Sequence, residues 1–291
     1  EGDVISLDGD EGLVIRGSIP LISAVGDNAD LARVMRWADE TRRIKVLANA
    51  DTPTDAAIAL ANGAEGIGLV RTEHQFFSSP ERLRAMRSMV LAGTDAARTA
   101  ACDRMLPFQR EDFQGIFTAM SGLPVCVRLL DPPLHEFLPP RKSQELDRVA
   151  RDVSSDDKAD KDVGKIIARA ERMREMNPML GMRGCRLGIQ HPCVTAMQSR
   201  AVFEAAKACA AEGIEVKPQI MVPLVATPEE FSHQLAVIRE VYAEVFDEGE
   251  NRVPFEVGAV VEAPRAALIA DDLVRVGAKF LSLGTNDLTQ M

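Results

Sequence analysis

Phe280-Leu281-Ser282-Leu283-Gly284-Thr285-Asn286-Asp287-Leu288-Thr289-Gln290-Met291 carries an apolar run directly into an amide and a carboxylate. Gly258-Ala259-Val260-Val261-Glu262-Ala263-Pro264 does the same with a single carboxylate. Both read as buried strands whose C-terminal ends deliver polar side chains to a rim. Neither alternates polar with apolar residues, so both faces are covered, as in a parallel sheet wrapped by helices. Working outward, the same reading gives strands at 45–49, 66–71, 125–130, 219–224, 257–262 and 280–283. Helices are expected at 54–61, 80–92, 110–120, 195–211, 228–245 and 266–276. Repeated strand–helix units make either a (β/α) barrel or an open doubly wound sheet. Charged residues at the C-terminal end of nearly every strand favour the barrel, because barrel enzymes assemble their sites there. The expected fold is α/β, a (β/α)8 TIM-type barrel. Six strands are visible, so it is expected to stop before its last strands.

Residues 1–18 read as a hairpin-like β tail, with apolar runs at 4–7 and 13–16 around the turn Asp8-Gly9-Asp10-Glu11-Gly12. The tail has no core of its own and is expected to close off an upstream domain. A linker follows at 19–27, then the main domain at 28–291, which opens with a helix at 28–41. The stretch at about 139–176, rich in Arg, Lys, Glu and Asp, reads as a helical insertion whose plainest role is a solvated spacer. The chain starts at Glu1 and is read as ending with no terminal helix and no polar tail. A piece of a larger protein is therefore expected.

At 291 residues and 46% hydrophobic content, the chain has enough apolar surface for a sizeable core. Its net charge of −10 argues against a nucleic-acid or anionic-membrane partner, while leaving room for a local arginine cluster. No apolar run approaches the ~18 residues needed to span a bilayer, and no signal peptide opens the chain. Cys102, Cys126, Cys185, Cys193 and Cys209 are odd in number and form no C-x-x-C pair. Neither a disulfide framework nor a zinc site is indicated, and a cytoplasmic setting is expected. The cysteines read as packing residues.

Chemistry collects at the strand ends. Arg71 lies where the strand at 66–71 meets its loop, and Arg128 stands just before the end of the strand at 125–130. Arg183 stands between the glycines of Gly181-Met182-Arg183-Gly184, which permit close backbone approach. Glu262 and the Asn286-Asp287 pair complete the set. An arginine beside an apolar strand is costly unless an anion or carboxylate meets it. A lone arginine there is equally well read as half of a buried ion pair, and a lone carboxylate as a cap or salt bridge. Together, three arginines facing two carboxylates suit a small anion bound through Mg²⁺. Gly66-Ile67-Gly68 opens no helix and is no dinucleotide fingerprint. His74 and His135 read as loop histidines that position neighbours, with acid–base work as the alternative. His191 and His233 read as helix-start and helix-surface residues.

Five ordered motifs carry a resemblance across nearly the whole chain: Gly-Ile-Gly-Leu-Val-Arg-Thr-Glu-His (66–74), Val-Arg-Leu-Leu-Asp-Pro-Pro-Leu-His-Glu-Phe-Leu-Pro (127–139), Asn-Pro-Met-Leu-Gly-Met-Arg-Gly-Cys-Arg-Leu-Gly (177–188), Val-Glu-Ala-Pro-Arg-Ala-Ala-Leu (261–268) and Gly-Thr-Asn-Asp-Leu-Thr-Gln-Met (284–291). They resemble the pyruvate, phosphate dikinase family of the phosphoenolpyruvate-utilising enzymes. Phosphoenolpyruvate synthase and enzyme I of the sugar phosphotransferase system share several of these elements. The stretch at 130–139 resembles the dikinases in particular. The resemblance implies an ATP-using domain and a central phosphohistidine domain upstream, ending in the tail at 1–18, and a C-terminal barrel that handles pyruvate and phosphoenolpyruvate. It implies Glu262 and Asp287 as Mg²⁺ ligands, Arg71, Arg128 and Arg183 around phosphoryl and carboxylate groups, and Gly284, Thr285 and Asn286 beside the substrate. A homodimer is implied as well, with no nucleic-acid or membrane partner. The family's Ser-His segment and its Cys-Gly-Glu proton-transfer motif have no match here, so the isolated chain is expected to be inactive. The alternatives are a sister enzyme of the superfamily, a non-catalytic phosphoenolpyruvate-binding module, and a metal-dependent aldolase or lyase on a related barrel.

Overall fold

The computed structural model describes residues 2–9, 11–20, 29–156, 162–174, 177–246 and 252–291. Residues 21–27 of the expected linker, Asn28, and residues 157–161 and 175–176 of the expected insertion lie outside the described residues. The chain divides into two compact units, residues 1–45 and 46–291.

In the first unit, β1 (Ile5–Asp8) pairs antiparallel with β2 (Leu13–Arg16), with Ile5 opposite Arg16. The turn passes through Gly12 at φ +67°, a left-handed conformation that favours glycine. Helix α1 (Ala29–Thr41) buries none of its residues, and Leu31, Val34, Met35 and Trp37 stand exposed.

The second unit is built on six parallel strands: β3 (Ala48–Asn49), β4 (Ile67–Arg71), β5 (Pro124–Arg128), β6 (Lys217–Val222), β7 (Glu256–Val261) and β8 (Leu281–Leu283). Their order in the sheet is their order in the chain, and the sheet curls into a half-barrel surrounded by helices. This is the truncated TIM-type architecture expected. After β3 comes α2 (Pro53–Ala61); after β4, α3 (Pro80–Leu91) and α4 (Asp95–Ala119). After β5 come α5 (Gln144–Asp156), α6 (Val163–Arg172), α7 (Gly184–Gln190) and α8 (Pro192–Ala211). Helix α9 (Pro228–Val245) follows β6; α10 (Pro264–Leu268) and α11 (Ala270–Arg275) follow β7; α12 (Thr285–Gln290) follows β8.

Local chemistry sets the helix starts. Thr52, Ser79, Thr94 and Thr227 each cap a helix by accepting a backbone N–H three residues on. Proline occupies the first turn after Thr52, Ser79 and Thr227, where its missing N–H costs nothing. Thr227 and Glu230 complete a reciprocal capping box on α9. Three expectations need correction. The helix expected at 110–120 begins at Asp95, because Thr94 caps it and the helix runs on through Pro107. The helix expected at 266–276 breaks at Ile269 into α10 and α11. A terminal helix does exist: α12 starts after Gly284, carries Asp287 in its first turn, and ties Thr289 Oγ1 to the Thr285 carbonyl at 3.0 Å.

The alternation of side chains along a strand separates two environments. On the outer face Val127, Ile220, Val222, Val257 and Ala259 join Phe113, Phe117, Phe203 and Phe231 from the helices in the main core. Phe203 there meets Tyr242 and Phe255 edge-on, with ring centroids 5.1 and 4.9 Å away. On the inner face Cys126, Met221 and Val260 form a small buried apolar cluster, with Leu69 and Phe280 packed against them. Arg128 lies two residues beyond Cys126, and Glu262 two beyond Val260, so both point inward at the C-terminal rim.

A second core lies under the insertion. Leu146, Val149, Ala150 and Val153 of α5, with Ile166 and Ala170 of α6, are buried against Met86, Met89, Cys102 and Met105 of α3 and α4. The spacing 146, 149, 150, 153 is one apolar helical face. The insertion is therefore a packed subdomain instead of a solvated spacer; its high charge lies on the other face of α5. No helix among the described residues is long and apolar enough to cross a membrane.

Candidate active site

Strand register brings the first two arginines level: Arg71 of β4 pairs with Arg128 of β5. The Arg128 guanidinium donates to Glu73 Oε1 at 2.5 Å and lies 3.0 Å from Asp131 Oδ2. Arg183, at the N-cap of α7, donates through Nε to the Asp131 carbonyl at 2.8 Å and through its terminal nitrogen to Asp131 Oδ2 at 3.0 Å. Asp131 is 1% exposed and bridges both guanidiniums. Burial works against the Arg128 charge, but Asp131, Glu73 and Glu262 outweigh it and push its pKa up. Gly184 permits this approach. Its φ is +58°, and a Cβ there would lie 2.9 Å from Leu224 Cβ and 3.2 Å from Asp131 Oδ1.

Glu262 leaves β7 into the same rim and is 1% exposed. Its Oε1 accepts the Leu224 N–H at 2.7 Å, and Leu224 holds a left-handed backbone at φ +55° to offer it. Burial, then Asp131, and more weakly Asp287, push the Glu262 carboxyl up to about 7, against the Leu224 hydrogen bond and Arg128. Gly284 ends β8 against this carboxylate. A Cβ at 284 would lie 2.7 Å from Glu262 Cβ and 2.8 Å from Oε2. Thr285, Asn286 and Asp287 form the first turn of α12, with Thr285 and Asn286 exposed and Asp287 half-buried.

Arg71 differs from the other two arginines. Its backbone N–H donates to Asp51 Oδ1 at 2.7 Å. Among the described residues its guanidinium makes no hydrogen bond or ion pair. Asp51 Oδ2 lies 2.7 Å from His74 Nδ1, so His74 steadies the loop that fixes Arg71. His135 leaves a buried Nδ1 without a partner, as do Glu73 at Oε2 and Arg128 at Nε.

A buried glutamine network holds these loops from behind. Gln198 of α8 accepts the Leu130 N–H at 2.7 Å, and donates to Thr72 Oγ1 at 3.0 Å and Gln109 Oε1 at 3.2 Å. Gln109 of α4 donates to Gln75 Oε1 at 3.0 Å. Thr72 and Gln75 flank Glu73; Leu130 precedes Asp131. Two neighbouring outer helices thus fix the β4 and β5 loops.

Residues 26–291 match the family described as PEP-utilising enzyme, PEP-binding domain. The chain belongs to this family. It is 53% identical over its whole length to pyruvate, phosphate dikinase 2 of Oryza sativa subsp. japonica and to pyruvate, phosphate dikinase 2 of Zea mays, covering 32% of each. It is 52% identical to the chloroplastic pyruvate, phosphate dikinase 1 of Arabidopsis thaliana, covering 29% of it. The chain thus spans about a third of the length of the curated relatives it matches.

Within this PEP-binding domain, the expectation of three arginines facing two carboxylates is incomplete. The rim holds Arg71, Arg128 and Arg183 against Glu73, Asp131, Glu262 and Asp287. Two of the arginines are already in buried ion pairs, the plainer of the readings open at the outset. Glu73 and Asp131 were not singled out from the sequence, although they follow Arg71 and Arg128 by two and three residues. Among the described residues no three His, Cys, Asp or Glu side chains converge as a closed metal site. The chemistry still fits Mg²⁺. Glu262 and Asp287 are hard oxygen donors, and Mg²⁺ commonly takes one or two carboxylates, with water and substrate as its other ligands.

Proposed function

We propose that this domain binds pyruvate and phosphoenolpyruvate and carries the pyruvate half of a dikinase reaction. In that half-reaction a phosphoryl group moves between a phosphohistidine elsewhere in the parent protein and the pyruvate enolate. The parent reaction would convert ATP, phosphate and pyruvate into AMP, diphosphate and phosphoenolpyruvate. The supporting observation is the Glu262 carboxyl, buried at the rim, raised to about 7 and crowded by Asp131 and Asp287.

Charge explains why a cation belongs there. With three guanidiniums and four carboxylates, the rim residues sum to about −1 when all are ionised, which repels a phosphorylated anion. A divalent cation on Glu262 and Asp287 reverses the sign. When bound, Mg²⁺ would act as a Lewis acid that stabilises negative charge on the keto oxygen of pyruvate. The methyl group gives up its proton to a base elsewhere in the parent protein, and the enolate oxygen attacks phosphorus as the N–P bond to histidine breaks. Arg71, whose guanidinium has no partner among the described residues, offers its full donor set to the incoming anion. Arg128 and Arg183 are held by Asp131 and present a fixed wall of N–H donors beside the transferring phosphoryl group. Asn286 lies at the open edge, where its amide meets the substrate. Losing one such arginine donor costs roughly 3 kcal/mol of transition-state stabilisation.

Calorimetric titration with oxalate, an enolate mimic, tests the reading. Binding that requires Mg²⁺ and fails in Glu262→Gln supports it. Equal binding without Mg²⁺ rules out the metal assignment, and no binding by the folded chain rules out the site.

A further inference from the structure

A cleft of about 440 Å³ opens between the start of α3 and one face of α5, and none of the rim residues lines it. Its volume lies within the ~300–1,000 Å³ of small-molecule sites. Leu83 of α3 and Val149 and Val153 of α5 give it an apolar lining. Phe77 stacks on Phe137 with ring centroids 5.1 Å apart and planes 12° from parallel. Phe77 still remains 51% exposed and borders the cleft. A ring backed on one face and open on the other is a stacking platform for a planar group. Charge here runs against that of the chain. Arg84, Arg87 and Arg148 line the cleft against Glu145 and Asp152, so it carries about +1 in a chain of net charge −10. Arg87 is fixed in place: its Nε donates to the Phe137 carbonyl at 2.7 Å, and a terminal nitrogen donates to Glu145 Oε1 at 3.2 Å. Glu145 is thereby occupied. Arg148 is exposed, and among the described residues its guanidinium makes no hydrogen bond or ion pair. Asp152, one turn further along α5, offsets part of its charge. Ser79 accepts the Arg82 N–H at 3.3 Å and keeps its own hydroxyl proton to donate.

We propose that this cleft is a second ligand site, for a small aromatic phosphomonoester: a planar ring joined to one phosphate, as in a nucleoside monophosphate. The ring stacks on Phe77 and covers the apolar lining. The phosphate accepts from Arg87, Arg148 and the Ser79 hydroxyl. Two guanidiniums and a hydroxyl offer more donors than the two oxygens of a carboxylate use well, and they suit the three terminal oxygens of a phosphate. An uncharged ring would leave the arginines without an anion, and a bare phosphate would leave the Phe77 face in water. Phe77 ends the short turn His74–Phe77, which follows Glu73 and carries Gln75 of the network behind the rim. A ligand stacked on Phe77 therefore sits one turn of chain from the β4 loop of the rim.

Calorimetric titration of the chain with adenosine 5′-monophosphate, in buffer free of Mg²⁺, tests the proposal. The nucleotide should bind, while adenosine alone and inorganic phosphate alone should each bind about tenfold more weakly or worse, since each makes only part of the contacts. Arg148→Glu should weaken the nucleotide about tenfold or more. Phe77→Leu, which keeps an apolar side chain against Phe137 but loses the planar ring, should weaken it by a similar factor. Both positions are exposed, so both variants should fold. Arg71→Ala should bind the nucleotide as the parent does, and Arg148→Glu should keep its Mg²⁺-dependent oxalate binding. Nucleotide binding lost in Arg71→Ala and intact in Arg148→Glu would assign the ligand to the rim and overturn the proposal. Inorganic phosphate binding as tightly as the nucleotide, or no nucleotide binding by the folded chain, would overturn it as well.

Discussion

The arginine end of the rim and the Glu262 end handle buried charge in opposite ways. Asp131 is matched by Arg128 and Arg183, each within 3.0 Å, so this end is electrically complete as the chain folds. Glu262 has one backbone hydrogen bond and two carboxylate neighbours, and its carboxyl responds by holding its proton to about pH 7. Both ends lie on one curled sheet, a few residues past the same kind of apolar strand. The first end is a positioned wall; the second has a charge deficit that a cation would fill. In our reading the folding free energy has already covered the desolvation of the arginines, and ligand binding covers that of Glu262.

The largest expected effect lies at the completed end. Asp131→Asn leaves Arg183 buried without its counter-charge and takes one of two from Arg128. Urea unfolding should show a loss of about 3–5 kcal/mol. A loss under about 1 kcal/mol would mean that the arginines are solvated and the wall is not fixed.

Glu262→Gln should act with the opposite sign. The folded-state pKa of Glu262 is raised, so its stabilising contribution is complete below the unfolded value of 4.5 and is lost as pH rises through about 7. The full swing is on the order of 3 kcal/mol. The glutamine variant mimics the protonated form, so without Mg²⁺ it should gain on the parent between pH 5 and pH 8. Parallel stability curves over that range would show that Glu262 titrates normally.

The network behind the rim predicts a smaller change. Gln198→Leu strips the Leu130 N–H of its acceptor and Thr72 and Gln109 of a donor, for a cost of about 1–3 kcal/mol. Amide exchange at Leu130 should speed up accordingly; unchanged protection there would remove Gln198 as a positioning residue. Arg71→Ala should be the mildest for stability, within about 0.5 kcal/mol, because its guanidinium has no partner among the described residues. The same variant should bind oxalate or phosphoenolpyruvate markedly more weakly. Unaltered binding would take Arg71 out of the anion site.

Much of this arrangement is legible in the sequence, for a specific reason. Strand periodicity is local, so the apolar runs ending at Arg71, Arg128, Glu262 and Gly284 reveal which residues reach the rim. Partnership is not local. That Asp131 serves both Arg128 and Arg183, 52 residues apart in the second case, follows only from the way the loop at 177–183 folds over the sheet. Charge density also misleads. The insertion reads as solvated because its polar residues outnumber its apolar ones, yet the spacing of Leu146, Val149, Ala150 and Val153 marks one buried face. The end of the chain misled in another way. Thr285-Asn286-Asp287 looks like a loop by composition, and becomes a helical turn because Gly284 lets it start against Glu262.

The most direct test of the contrast is proton release on Mg²⁺ binding with oxalate, measured by calorimetry at pH 7 in two buffers of different ionisation enthalpy. With the Glu262 carboxyl near its midpoint at that pH, the parent chain should release about half a proton per Mg²⁺ bound, and Glu262→Gln should release none. Tight Mg²⁺ and oxalate binding with no proton release in the parent would show that Glu262 is already ionised. The charge deficit at this end of the rim would then not exist.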